Sequence, residues 1–171
     1  MSYYTDFSPQ TLWVAEYDSE IMGYIAGCFS TQQYRNCMGL RIIPKVFLRA
    51  ALRGDFFQRE TWRLLRAGLK TGWLGGLRRK IPIKKYPVHL HINLKKGFRG
   101  KLIGEKLIQT FLKQAKDAGL PGVHLVTQAE NEPACRFFER MGFSRISQHP
   151  TVWPEGKNFR KTHTLIYAKN L

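Results

Sequence analysis

Acidic residues are scarce in this chain of 171 residues: 12 Asp and Glu stand against 28 Lys and Arg, a formal net charge of +16. Cysteine is scarcer still. Cys28, Cys37 and Cys135 are odd in number and show no CxxC spacing, so neither a zinc site nor a disulfide framework is indicated, and a reducing compartment is expected. No run approaches the roughly 18 apolar residues that a membrane-spanning helix needs. The opening MSYYTDFSPQTLW lacks the basic start and apolar core of a secretory signal. Low-complexity tracts, internal repeats and linker-like stretches are also missing. These absences point to one soluble, cytoplasmic domain over residues 1–171, with enough chain for a sizeable core.

The positive charge is concentrated. Between Arg41 and Lys85, 13 basic residues face only Asp55 and Glu60, giving +11 and leaving +5 for all other residues. Pro44 is placed to open a helix ending near Arg53 at Gly54. Asp55 reads as the N-cap of a second helix to about Lys70. There Arg59, Arg63, Arg66 and Lys70 share one face, with Phe57, Trp62, Leu64 and Leu65 as apolar neighbours.

Around this segment the pattern is mixed α/β. Leu12–Tyr17 and Ile21–Ser30 read as an antiparallel hairpin joined at Asp18-Ser19-Glu20. Val88–Leu94 is a strand, Ile103–Ala118 an amphipathic helix stopped by Gly119, and Gly122–Thr127 a strand, which together form a crossover unit. Asn131 can cap a short helix from Pro133 to Arg140, which Gly142 terminates, and 143–148 and 163–169 read as closing strands.

Between the strand and the helix lies KKGFRGKLIG, a basic turn rich in glycine, which is a pattern that suits an anion at a helix N-terminus. A P-loop is excluded because Gly100-Lys101 is followed by Leu102, and a dinucleotide fingerprint because the glycines fall at 97, 100 and 104. Arg99-Gly100-Lys101-Leu102-Ile103-Gly104 instead resembles the signature of the GNAT (Gcn5-related N-acetyltransferase) family: Arg or Gln, two residues, Gly, one residue, then Gly or Ala. About thirty residues on, Asn131 to Phe143 resembles the family's Asn, short helix and closing Gly-Phe.

The resemblance implies an acyl-CoA N-acyltransferase fold. That fold has a mixed central sheet with helices on both faces, here with a helical insertion between the third and fourth family strands. The N-terminus is short for the family, which leaves open a lost first strand or a partner subunit, as in a homodimer, completing the sheet. It also implies acetyl-CoA as cofactor. Arg99, Gly100, Lys101, Leu102, Ile103 and Gly104 would wrap its pyrophosphate. Ile92, Asn93 and Leu94 would pair with the pantetheine arm, which Asn131 and Phe138 would approach from the other side. No metal site is implied.

Two residues depart from the pattern. Leu102 replaces the first signature glycine, which is tolerable where φ stays helical. Phe138 replaces the tyrosine that protonates the departing thiolate in many members, and it has no proton to give. For the general base, His91 and His89 alternate on one face of the strand and have the right intrinsic pKa. Glu16 is a weaker candidate, His124 reads as structural, and Cys135 stands near the expected thiol. The acceptor would be an amine on a small molecule or a protein.

For the basic segment, residues 44–80, three readings stay open: a solvated face, an anionic membrane surface, or nucleic acid on charge alone, the last disfavoured for want of a recognised module. A non-catalytic acyl-CoA-binding module is the alternative to an enzyme.

Overall fold

The computed structural model describes residues 2–55, 58–76, 81–98, 100, 102–156 and 158–171. Strands β1 (Leu12–Tyr17), β2 (Glu20–Cys28), β3 (Val88–Leu94), β4 (Gly122–Gln128), β5 (Ser144–Glu155) and β6 (Asn158–Asn170) form one mixed sheet in the order β1-β2-β3-β4-β6-β5. The helices are α1 (Ser2–Asp6), α2 (Thr31–Cys37), α3 (Ile43–Arg53), α4 (Arg59–Trp73), α5 (Ile103–Asp117) and α6 (Glu132–Arg140). Helices α2, α3 and α4 all fall between β2 and β3. Phe57, Arg78, Arg79, Lys80, Arg99 and Lys101 lie outside the described residues.

The chain packs as two compact units. The first takes residues 2–38, 82–125 and 168–171. Its hairpin turns through Asp18 and Ser19, both at positive φ (48° and 61°), the geometry whose twist matches two antiparallel strands. β2 then pairs antiparallel with β3, from Gly23↔Leu94 to Cys28↔His89.

Alternation along β3 sends Leu90 and Ile92 to one face and His89 and His91 to the other. The first face receives α5. Its buried residues Gly104, Leu107, Ile108, Phe111, Leu112 and Ala115 recur at helical spacing, and Phe111 is fully enclosed. Gly27 is glycine because a Cβ there would run into the Phe111 ring and the His89 carbonyl. The second face is covered by Tyr4 of α1 and Tyr34 of α2, whose rings pack on His89. Helices therefore cover both faces of this part of the sheet. Residues 2–6, which carried no expectation of structure, form a helix with Tyr3 and Tyr4 buried.

The second unit takes residues 39–81 and 126–167. Here α3 starts with Pro44 in its first turn and ends at Gly54, φ 70°. The expected cap of α4 is corrected. Its N-cap position is Gln58, and the Asp55 carboxylate accepts from the Gln58 side chain instead. The helix also continues past Lys70 to Trp73. β5 and β6 are much longer than expected, with Thr151 and Thr164 hydroxyls hydrogen-bonded at 2.6 Å between them.

Replacing Gly27 by Ala is expected to cost about 1–3 kcal/mol through overpacking against Phe111. Thermal or urea unfolding checks this, and the penalty should shrink when Phe111→Leu makes room in the same chain.

Candidate active site

The centre of interest in the first unit is the edge of β3. Its parallel ladder with β4 comprises only Val88↔Val123 and His89↔His124. On the other side the ladder with β2 continues, and the Lys95 N–H donates to the Met22 carbonyl at 2.9 Å. Hydrogen-bonded pairs alternate in an antiparallel ladder, so Asn93 and His91 exchange their bonds with Tyr24 and Ala26. The N–H and C=O groups of Ile92 and Leu94 must then point away from β2, towards the edge that the ladder with β4 has left.

The strand continues through a short turn, Lys96–Phe98, into α5. Its N-cap residue, Leu102, makes no side-chain cap bond. Its first-turn N–H groups and the positive end of its dipole are thus offered to whatever binds there. Gly97 and Gly100 have open space where a side chain would stand, and Gly100 has φ 81°.

Leu102 at the N-cap corrects the expectation of a helical φ: it sits at φ 59°, ψ 0°, left-handed, with its side chain 64% exposed. A leucine there costs about 1–2 kcal/mol relative to a right-handed conformation, and a glycine would relieve it. The local backbone has the shape that the signature glycine favours, although the glycine is absent.

The two histidines differ. His89 is buried at 7% exposure, with Nε2 2.8 Å from the Tyr4 hydroxyl and Nδ1 3.0 Å from the Cys28 sulfur. Burial holds its pKa down at about 3 and pushes the Cys28 thiol up to about 12, so both are neutral. His91 is exposed at its edge, while its ring packs on Tyr4 and His89 at 5.8 and 5.7 Å. Partial desolvation lowers its pKa, which leaves a neutral imidazole at pH 7 able to accept a proton. His124 is buried, and its Nδ1–H donates to the Tyr86 carbonyl at 2.9 Å. Glu16 lies at an irregularity in β1 and is exposed. The Tyr4–His89–Cys28 cluster spans 85 positions of sequence and left no local signal.

In the second unit, Asn131 precedes α6 with its side chain making no cap hydrogen bond, contrary to expectation. Phe138 is buried among Phe137, Phe143 and Tyr167. Nearby, the Tyr167 hydroxyl donates to Glu139 at 2.8 Å, and its pKa is raised, mainly by burial. The Cys135 thiol faces the Gln128 carbonyl at 3.8 Å. No group of metal-binding side chains occurs among the described residues.

The Acetyltransferase (GNAT) family profile matches residues 72–143, the stretch holding β3, α5, β4 and α6. The match is to this stretch, and the rest of the chain lies outside it. A mycothiol acetyltransferase of Corynebacterium aurimucosum is 34% identical over 62 residues, 36% of this chain and 20% of that protein. The chain spans a fifth or less of the mycothiol acetyltransferases it matches. Among solved structures, SsHAT superposes with a TM-score of 0.68 at 24% identity, covering 99% of this chain and 76% of that one. The yncA protein of Salmonella typhimurium, solved with its cofactor acetyl-CoA, gives 0.55 at 14% identity over 93% of this chain and 63% of that one. These likenesses show the GNAT fold for the chain.

The buried histidines set an acid limit on stability. His89 stays neutral in the fold down to about pH 3, whereas an unfolded histidine takes a proton below about 6.5. Between those values the unfolded chain binds a proton that the folded one refuses, so stability falls as pH falls. His91 and His124, also lowered, act in the same direction. The melting temperature should drop steadily from pH 7 to pH 4, and His89→Asn should flatten that decline whatever its effect at pH 7.

Proposed function

We propose that the chain is an acetyl-CoA-dependent N-acetyltransferase acting by direct transfer to an amine. The observation that carries this reading is the continuity of two features: an interior strand edge whose Ile92 and Leu94 N–H groups point away from β2, running into a basic helix N-terminus at Gly100 to Gly104 whose N-cap residue makes no side-chain cap bond. The first suits an extended amide-bearing arm and the second a pyrophosphate, and acetyl-CoA carries both on one molecule. Its thioester supplies the activated acetyl group.

The residues assigned to cofactor binding in the first unit are Ile92, Asn93, Leu94, Arg99, Gly100, Lys101, Leu102, Ile103 and Gly104. The Leu94 N–H would polarise the acetyl carbonyl as charge develops on its oxygen. An acceptor amine arrives as ammonium and must lose a proton before its nitrogen attacks. His91 takes that proton in this reading; His89 is a poor base because it is buried, committed to Tyr4 and Cys28, and lowered to about 3. The new C–N bond forms as the C–S bond breaks. Phe138 has no proton to offer, so the thiolate takes one from solvent, which a good leaving group allows. The acceptor is an amine on a small molecule or a protein.

Isothermal titration with acetyl-CoA and with CoA is the direct test. Micromolar binding is expected; Gly100→Val should weaken it about ten-fold or more by straining the left-handed turn, and Leu102→Gly should tighten it. In amine-dependent thiol release, His91→Ala should lower kcat and remove the acid limb of the pH profile while leaving acetyl-CoA affinity intact. Absence of binding would overturn the cofactor assignment, and an unchanged pH profile would overturn that of His91.

A further inference from the structure

Helix α4 is turned inside out relative to an ordinary surface helix. The side that meets β5 is made of small residues: Ala67 and Thr71 are buried, and the Thr71 hydroxyl accepts from the Val152 N–H at 2.9 Å. Just beyond the helix, Gly76 lies so close to the Pro150 carbonyl that a Cβ would collide with it. The large apolar residues lie on the other side. Trp62, Leu65, Leu69 and Trp73 recur at i, i+3, i+7 and i+11, which makes one stripe, and all are exposed, Leu69 by 74% and Trp73 by 91%. Arg59, Arg63, Arg66 and Lys70 run alongside as a parallel basic stripe. Helix α3 repeats the theme. It has no buried residue, its Val46, Leu48 and Leu52 are exposed, and Lys45, Arg49 and Arg53 form a basic line at i, i+4 and i+8.

We infer that α3 and α4 dock on an anionic lipid bilayer, lying in its interfacial plane. Amphipathic helices with Trp and Leu on one side and Lys and Arg beside them are built for that boundary, where apolar groups enter the acyl region and cations meet phosphate. No helix among the described residues is long and apolar enough to cross a membrane, so the contact is peripheral.

Charge selects this occupant over two others. A second copy of the chain would bring two segments of +11 face to face. A nucleic acid would engage the arginines but leave Leu48, Leu52, Leu65 and Leu69 without a counterpart.

The test is co-sedimentation of the full chain with vesicles of phosphatidylcholine alone or with about 30% phosphatidylglycerol, with tryptophan emission read in parallel. Binding is expected only to the anionic vesicles, with a blue shift from Trp62 and Trp73. Leu69→Glu with Trp73→Glu should lower it at least about ten-fold, and so should Lys45→Glu with Arg49→Glu. Melting curves and acetyl-CoA titration report whether each variant is folded. The inference is overturned if anionic vesicles bind no better than neutral ones. It also fails if the Leu69/Trp73 variant binds as the parent does, if a mixed-sequence oligonucleotide displaces the protein from the vesicles, or if the stripe proves to hold two copies together in sedimentation.

Discussion

Two backbone N–H groups, those of Ile92 and Leu94, are aimed at an edge of β3 that the ladder with β4 no longer fills. A backbone donor inside a sheet has to find a partner, and leaving it unmade costs more than the bond is worth when made. Much of the first unit serves to hold that edge in place. On one face Phe111 and its neighbours on α5 press against Gly27 and Leu90; on the other, Tyr4, Tyr34 and the histidines close over the strand. Both layers grip β3 where its ladders are complete and leave the last residues to pair with something else.

The buried polar cluster behind the strand belongs to the same arrangement. Tyr4, Cys28 and His89 satisfy one another in a place where an isolated imidazole would be costly. Their neutrality matters as much as their bonds: His89 and Cys28 add no charge behind the strand. His91, one step along and at the surface, keeps an accessible ring. Burial and the contacts with Tyr4 and Cys28 set His89 apart from the other histidine on the same face.

The elements that were legible in the sequence are those with strong local signals. The strand Val88–Leu94 alternates cleanly, α5 has an unbroken apolar face, and Gly54, Gly119 and Gly142 mark turns that all take positive φ. The others needed tertiary context. α1 and α2 are too short to show a period, and they gain stability from rings that meet His89. β5 was under-read because Pro150 and Pro154 argue against a strand, yet β5 ends the strand order, where missing N–H donors are tolerated. Asp55 has the identity of a cap but its carboxylate is taken by Gln58. For the candidate site, the signature residues were legible by spacing, whereas the different states of His89 and His91 depended on Tyr4, 85 positions away.

The outward apolar stripes of α3 and α4 have a colloidal consequence. Exposed Leu and Trp in rows are what drives chains to stick together, and a concentrated population of this protein would do so but for the arginines and lysines beside them. Their repulsion reaches only about 8 Å at physiological ionic strength and about 3 Å at 1 M salt. Added salt therefore thins the barrier between neighbouring molecules.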